Sequence, residues 1–142
     1  MKLDSRLQED CYLLGLLSDT RLLLSRNAYF PWFILVPDTE ETEFYKLNQD
    51  HQLLLLEQIN QLSIFVETHF SVFKLNIATI GNVVSQMHIH IVGRQQNDVC
   101  WPGVVWGCDQ YKDYAEGEVE GIRDQLEIDC AGNLISNFTA TR

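Results

Sequence analysis

Polar and apolar side chains alternate through the centre of VVSQMHIHIVGR, residues 83–94. Gln86, His88 and His90 stand at every second position, with apolar residues between them. Successive side chains of a strand point to opposite faces, so these three residues would share one face at intervals of about 6.6 Å. The pattern predicts a strand that carries an imidazole row on its exposed face and packs its other face inward.

Three further segments have the composition of strands. RLLLS (21–25) and WFILVP (32–37) are apolar runs separated by the turn-prone RNAYFP, and they predict an antiparallel pair. FKLNIATIG (73–81) predicts another strand. We expect a tight turn at Gly81 and Asn82 to join it to the histidine-bearing strand.

Helical spacing predicts a short amphipathic helix within residues 3–17, where Leu3, Leu7, Cys11 and Leu14 recur at intervals of four, four and three. A longer helix, from about residue 49 to 70, is predicted by one apolar stripe that would face a sheet. The stripe consists of Leu55, Ile59, Leu62 and Val66.

Two weaker helical signals complete the chain. Asp38 followed by Glu41 resembles a capping box and predicts a short helix through about Leu47. Residues 112–127 predict an acidic helix, and AGNLISNFTATR (131–142) has the character of a tail.

The order helix, two strands, helix, two strands predicts an α+β domain with helices on one face of an antiparallel sheet. The chain has 142 residues, 46% of them hydrophobic, which suits one domain with its own core. No repeat, low-complexity tract or linker precedes residue 107. We expect one domain over 1–142, with its core at about 20–107 and a C-terminal helix and tail over 108–142.

Composition argues against several classes of protein. A formal net charge of −10 makes nonspecific binding to nucleic acid or to an anionic membrane unfavourable, because both rely on basic surface. No stretch approaches the roughly 18 apolar residues of a membrane span, and MKLDSRLQED is too charged for a signal peptide. The four cysteines form no C-x-x-C pair and predict free thiols in a cytoplasmic protein. Attraction for an anionic ligand has to be local.

An H-x-H on a strand is compatible with three kinds of chemistry. It can be a solvated surface pair, or it can supply two metal ligands. A cupin-like metal site needs a Glu four or five residues after the second histidine, and Arg94 and Gln95 stand near there instead. Alternatively, one neutral imidazole attacks phosphorus and carries the transferred group while the other donates to a phosphate oxygen. The nucleophile's second ring nitrogen then needs an acceptor, such as a backbone carbonyl at a strand edge.

QMHIHIV resembles the signature of the histidine triad (HIT) superfamily, in which three histidines alternate with apolar residues. The resemblance covers roughly residues 20–107, including LNIATIGN before the motif and WPGVVWG after it. With PWFILVP, KLN and Q-x-H-x-H, the chain most resembles a bacterial branch described as diadenosine tetraphosphate hydrolase-like. This implies an α+β fold with a five-stranded antiparallel sheet, one long and one or two short helices, a homodimer, and hydrolysis or transfer at the α-phosphate of a nucleotide.

The resemblance assigns roles to individual residues. His88 falls at the middle histidine, the nucleophile, and His90 at the third, which contacts the phosphate. Asn82 falls where relatives keep a polar residue that binds a phosphate oxygen. Asn76 falls near an Asn of the preceding strand, and a structural role at a strand end is an equal reading for it.

Two residues depart from the family pattern. Gln86 replaces the first histidine of the triad, and Trp32 stands where many relatives have an upstream histidine. In relatives those two histidines lie near each other, so Gln and Trp could replace them as a coupled unit. The amide of Gln86 can still form hydrogen bonds, but it cannot shuttle a proton. We therefore group Gln86 with His88 and His90 in the catalytic set.

Other polar residues have competing interpretations. Asn27 either binds a ribose hydroxyl or forms the turn before Pro31. Arg94 either offsets phosphate charge or forms a surface ion pair. His51 and His69, near the ends of the long helix, are expected to be ordinary surface histidines.

The sequence thus predicts a HIT-type phosphohydrolase that acts on a dinucleoside polyphosphate or a nucleoside phosphoramidate through a nucleotidyl-His88 intermediate. The alternative is a nucleotide-binding protein that senses or buffers its ligand. No bound metal or other cofactor is expected, although a divalent cation can accompany a polyphosphate. Trp101 and Trp106 would close the pocket, pack in the core or join a dimer interface built from the uncharged CWPGVVWG. The expected substrate-binding residues are Asn82, Asn76, Asn27 and Trp32.

Overall fold

The computed structural model describes residues 1–142 and contains one antiparallel sheet with three α-helices. The helices are α1 (Ser5–Asp10), α2 (Gln49–His69) and α3 (Glu118–Ala131). The strands are β1 (Cys11–Leu17), β2 (Thr20–Ser25), β3 (Trp32–Val36), β4 (Lys74–Ala78), β5 (Ile89–Arg94) and β6 (Phe138–Ala140). Their spatial order is β4-β5-β3-β2-β1-β6. The predicted α+β class is confirmed, with six strands where about five were expected.

Strand β5 lies inside the sheet, between β4 and β3, and carries the second histidine of the H-x-H pair. His90 lies opposite Ile34 on one side and opposite Ala78 on the other. The predicted pairing of β2 with β3 is also observed, with Leu23 opposite Ile34. The sheet therefore holds His90 by backbone hydrogen bonds from two neighbouring strands.

The two faces of the sheet are covered differently. Phe33, Ile89 and Ile91 point into the main core, which includes apolar side chains of α2 and α3. Because side chains alternate, Ile34 and His90 point to the opposite face. There α1 packs over part of the sheet in a smaller apolar cluster. The expectation that all helices share one face is therefore wrong for α1.

The long helix forms where its apolar stripe predicted it. Leu55, Leu62 and Val66 are buried, and Ile59 is partly buried against the same core. The side chain of Asn48 caps the helix by accepting a hydrogen bond from the His51 backbone N–H at 2.8 Å. No helix of the structure has both the length and the apolar character needed to cross a membrane.

The predicted N-terminal helix is shorter than its spacing indicated. Helix α1 ends at Asp10, and the chain continues directly into β1. Leu3, Leu7 and Cys11 do pack in one cluster, but Leu14 lies in the main core on the other face. The four apolar residues therefore belong partly to a helix and partly to a strand. Their spacing of four and three residues is the same as that of a single helix, so the sequence alone could not reveal the break.

Two predicted local structures are wrong. The capping box does not form, because the Asp38 carboxylate binds the N-terminal ammonium at 3.2 Å and the Glu41 backbone N–H donates to Thr39 Oγ1. Only a 3-10 turn, Phe44–Lys46, follows. The tight turn at Gly81 and Asn82 is also absent, since residues 79–88 form a longer loop between β4 and β5.

The C-terminal region is more ordered than a tail. Helix α3 starts at Glu118, after Gly117 adopts a left-handed conformation at φ 86°. The predicted tail contains β6, which pairs antiparallel with β1 and places Gly15 opposite Ala140. A β-carbon on Gly15 would lie 2.7 Å from Phe138 Cε2 and still closer to the Thr139 carbonyl oxygen.

We expect Gly15→Ala to destabilise the protein by about 1–3 kcal/mol, because the added methyl group overpacks the β1–β6 contact. Chemical denaturation monitored by circular dichroism measures the change. The matched control is Gly121→Ala in α3, where a β-carbon meets no atom within 4 Å. That change should stabilise the helix by about 0.5–1 kcal/mol. Equal stability of the two variants would contradict this account of the C-terminal strand.

Candidate active site

His88 and His90 lie together although only His90 belongs to the strand. Their ring centroids are 4.9 Å apart at an interplanar angle of 71°. Each residue is 6% exposed, so the imidazoles are not the solvated surface pair that the sequence also allowed. Both residues line a cavity of about 710 Å³.

The position of His88 fixes which of its nitrogens can attack. Its Nδ1 lies 2.7 Å from the backbone carbonyl oxygen of Gln86. A carbonyl only accepts, so Nδ1 carries the proton and Nε2 keeps a lone pair. The expected carbonyl acceptor is therefore present, but it comes from the loop before β5 and not from a strand edge.

His90 has a different partner. The indole Nε1–H of Trp32 donates to His90 Nδ1 at 3.0 Å. Trp106 packs edge-on against the same imidazole, with centroids 5.1 Å apart, and also against Trp32 at 6.0 Å. Burial, and then the neighbouring His88, lower the pKa of His90 from 6.5 to about 4.

The Gln86 side chain points away from the imidazoles to the start of the chain. Its Oε1 accepts from the Asp4 backbone N–H at 2.8 Å, and its Nε2 donates to the Lys2 carbonyl at 3.1 Å. Gln86 and Trp32 thus bond to different parts of the molecule. The structure does not support the hypothesis that they replace a histidine pair as a coupled unit, and only the main-chain carbonyl of Gln86 reaches the site.

Two of the predicted substrate-binding asparagines line the cavity. Asn82 is exposed in its wall. Asn27 lies at its edge, where Oδ1 accepts from the Tyr29 backbone N–H at 3.2 Å and Nδ2 donates to the Gln110 carbonyl at 3.0 Å. The turn-forming role of Asn27 is therefore observed, at a position that also faces the cavity.

Asn76 is not among the cavity residues. Its Oδ1 accepts from Arg94 Nη1 at 3.0 Å. Arg94 is 1% exposed and forms a bidentate pair with Asp98 at 2.8 and 3.0 Å. Burial acts to raise the pKa of the Asp98 carboxyl, but hydrogen bonds from Arg94 and from backbone amides outweigh it, and the pKa is lowered. Arg94 is thus neither a phosphate ligand nor a surface ion pair, and Asn76 has the structural role.

The CWPGVVWG segment folds back on its own chain. Cys100 and Cys108 form a disulfide, so the prediction of four free thiols is wrong for this pair. Val105 is buried with Phe30, and Trp106 reaches the cavity wall. Of the predicted roles, closing the pocket is the one that this placement favours for Trp106.

The N-terminal segment and the end of β2 contribute cavity residues that the motif gave no reason to expect. Arg6 donates to the Val83 carbonyl at 3.1 Å, and Arg26 donates to the Glu9 carbonyl at 2.9 Å. Both acceptors are uncharged, so neither hydrogen bond neutralises a guanidinium group. Asp10 also lines the cavity. In the sequence, the only feature that drew attention to the N-terminal segment was the spacing of its apolar residues, and that spacing does not indicate a ligand site.

The two remaining histidines lie outside this cavity. His51 contributes its backbone amide to the cap of α2. His69 Nε2 lies 2.8 Å from Asp129 Oδ2, which links the end of α2 to α3, so His69 is not an unpaired surface residue. No group of three or more His, Cys, Asp or Glu side chains is placed to hold a metal ion. That no metal is required stays a prediction.

An antiparallel sheet in which an interior strand and the loop before it present neighbouring imidazoles to a cavity agrees with the architecture expected of a histidine triad protein. The family model described as the HIT domain matches residues 6–97. The chain belongs to the HIT family.

Solved structures agree with this assignment. The chain is similar to a histidine triad protein from Bradyrhizobium japonicum, with 34% identity, a TM-score of 0.85, and coverage of 89% of this chain and 96% of that one. It is also similar to a HIT protein from Sinorhizobium meliloti 1021, with 30% identity, a TM-score of 0.84, and coverage of 89% of this chain and 95% of that one. For a histidine triad protein from Marinobacter aquaeolei VT8 the identity is 34% and the TM-score 0.83, with coverage of 89% of this chain and 93% of that one. No curated protein matches the chain significantly.

We expect Gln86→Ala to loosen the N-terminal wall of the cavity. Asp4 caps α1 through its side chain, and its backbone N–H would lose the Gln86 acceptor. Loss of this bond should speed hydrogen exchange at the Asp4 amide by about five- to tenfold. Gln96→Ala, an exposed glutamine beyond β5, is the matched control and should leave that exchange rate unchanged. An unchanged hydrogen-exchange rate at the Asp4 amide in Gln86→Ala would show that the Gln86 side chain does not hold the N-terminal segment.

Proposed function

We propose that this HIT protein is a nucleotide hydrolase or transferase that forms a nucleotidyl intermediate on His88. The observation that carries the proposal is the hydrogen bond from His88 Nδ1 to the Gln86 carbonyl. It leaves Nε2 unprotonated and facing the cavity, as a nitrogen nucleophile requires. The proposed substrates are dinucleoside polyphosphates or nucleoside phosphoramidates.

The chemistry has two steps. His88 Nε2 donates its lone pair to the α-phosphorus, and the bond to the leaving group breaks with its electron pair on the departing atom. Water then attacks the same phosphorus and releases a proton to solvent, and the P–N electron pair returns to Nε2. In both steps His90, next to His88, would donate a hydrogen bond to a phosphate oxygen.

The cavity wall offers two guanidinium groups to an anionic ligand. The chain carries −10 overall, yet Arg6 and Arg26 both face the cavity and bond to backbone carbonyls. Arg94, by contrast, is neutralised by Asp98. Glu9 and Asp10 line the same cavity. Attraction for an anion therefore has to come from the individual guanidinium groups of Arg6 and Arg26 and not from a net positive charge of the wall.

The shape of the cavity also suits a nucleotide. About 710 Å³ falls within the usual range for small-molecule sites. Leu7, Ile34 and Val84 offer apolar surface for a base. We assign Asn27 to the ribose and Asn82 to a phosphate oxygen, because both residues line the cavity. A divalent cation would enter with a polyphosphate and would need no ligand set from the protein.

The rival function is nucleotide binding without turnover, as in a sensor or buffer. It is favoured by one observation, that Gln86 cannot transfer protons and bonds to the N-terminal segment instead. The two functions differ in covalent chemistry. Rapid alkaline denaturation during turnover, followed by mass spectrometry, should trap a nucleotidyl adduct on His88 if the enzyme proposal is correct, because the P–N bond of such an adduct is labile to acid.

We expect His88→Ala to abolish turnover while nucleotide binding largely survives, because the cavity offers no second imidazole with a free Nε2 lone pair. His90→Ala should be milder, with a loss on the order of 10²- to 10⁴-fold. Product chromatography with a panel of dinucleoside polyphosphates and nucleoside phosphoramidates, with and without magnesium, gives the rates. Comparable rates in the wild type and His88→Ala would overturn the mechanism.

We also propose a homodimer, although the surface differs from the one first expected. CWPGVVWG packs against its own chain, whereas β4 is an edge strand with unpaired backbone groups. Phe73, just before β4, is 62% exposed, and Ile77 within it is 48% exposed. An edge with exposed apolar side chains favours pairing with a second copy.

Light scattering at micromolar concentration should therefore give twice the 16.4 kDa chain mass. Ile77→Lys should shift the protein toward the monomer, since it places a charge in the β4 interface. Ile128→Lys, at a 63% exposed position of α3, is the matched control and should leave the mass unchanged. A monomeric wild type would refute the dimer.

A further inference from the structure

The partner of His90 Nδ1 has only one possible role in a hydrogen bond. An indole N–H donates and never accepts. The atom that faces Trp32 Nε1 at 3.0 Å must therefore hold a lone pair. A neutral imidazole with its proton on Nε2 meets this condition, whereas an imidazolium, with N–H groups at both positions, would set two donors against each other.

We propose that Trp32 is a positioning residue that fixes His90 as a neutral Nε2–H donor, and that the site consequently favours leaving groups that depart without protonation. The leaving-group preference rests on the proposed nucleotidyl transfer. Such a preference selects phosphate anhydrides, such as dinucleoside polyphosphates, over substrates whose leaving group is an amine.

The surroundings of His90 act in the same direction as the indole. The ring is buried among Trp32, Trp106 and His88. Its lowered pKa of about 4 means that it stays neutral as the pH falls through 6.5, and gains a proton only near pH 4. The other titratable or charged groups around the cavity are Arg6, Glu9, Asp10, Cys11, Arg26 and Tyr111.

None of these groups is a convenient proton donor near neutral pH. Burial, and then the neighbouring Asp10, raise the pKa of the Cys11 thiol to about 12. The Tyr111 hydroxyl donates to Asp113 at 2.8 Å, and that bond raises its pKa. Gln86, at the position of the first triad histidine, is an amide that does not ionise as an acid near neutral pH, and its side chain bonds to the N-terminal segment. The cavity thus stabilises phosphate charge by hydrogen bonding but has no general acid.

The absence of an acid affects the two substrate classes differently. When His88 Nε2 displaces an anhydride oxygen, the bonding pair moves to a phosphate oxygen, which is stable as an anion because phosphate monoesters ionise near pH 6. When it breaks a P–N bond, the pair moves to nitrogen. That nitrogen departs as a neutral amine only if it receives a proton. A neutral His90 cannot supply that proton readily.

NMR of the unliganded protein tests the first part. Ring-nitrogen chemical shifts should identify His90 as the Nε2–H tautomer in the wild type. Trp32→Phe keeps an aromatic ring but removes the donor, so both tautomers should appear and the titration midpoint should rise by about one pKa unit. Trp106→Phe shrinks a ring that packs against His90 but removes no hydrogen bond to it. The tautomer of His90 should therefore stay Nε2–H in that variant, whatever the change in burial does to the titration midpoint. An Nδ1–H tautomer in the wild type, or identical shifts in Trp32→Phe, would overturn the assignment.

Competition between two probes tests the second part. The wild type should cleave diadenosine tetraphosphate at least tenfold faster, by kcat/KM, than adenosine phosphoramidate. Trp32→His supplies a side chain that can accept as well as donate, which permits His90 to become protonated. It should therefore narrow this ratio below neutral pH. Equal wild-type rates would overturn the leaving-group preference alone. Absence of turnover on both probes would overturn it together with the proposed function, while the NMR result still decides the role of Trp32.

Discussion

Backbone pairing of β5 with both β3 and β4 is the constraint on which the site depends. It places His90 opposite Ile34 and Ala78, and it sends Ile89 and Ile91 into the core. A slip of one residue would exchange the two faces, burying the imidazole among apolar side chains and exposing isoleucine. The hydrophobic core therefore also fixes the direction of the His90 side chain, since both depend on the same alternation of side chains.

The site also depends on where the strand stops. His88 precedes β5, so its ring leaves the regular alternation and finds a main-chain carbonyl in the adjoining loop. His90, within the strand, instead meets an indole donor from β3. One imidazole is paired with an acceptor and the other with a donor. Neighbouring rings of the same residue type thereby present a lone pair and an N–H to the same cavity.

Local sequence patterns were sufficient for the central elements. Strands β2 and β3 contain continuous apolar runs that are buried on both faces, β5 contains the last of the alternating residues, and α2 carries one apolar stripe. These patterns failed where partners are distant in the chain. Strand β6 exists because it pairs with β1, and Gln86 is held by residues more than 80 positions away. The motif located the two histidines correctly. It could not show that Gln86 points away from them, or that Trp32 reaches His90.

Position 86 serves two tasks with two different parts of the residue. Every residue type offers the carbonyl that orients His88, so that bond does not depend on the side chain. The side chain is then available to connect the loop to the N-terminal wall, and an amide keeps one donor and one acceptor at any physiological pH. An imidazole would lose its acceptor on protonation. The glutamine thus makes the link between the loop and the N-terminal wall independent of pH, and His88 and His90 remain the only imidazoles that line the cavity.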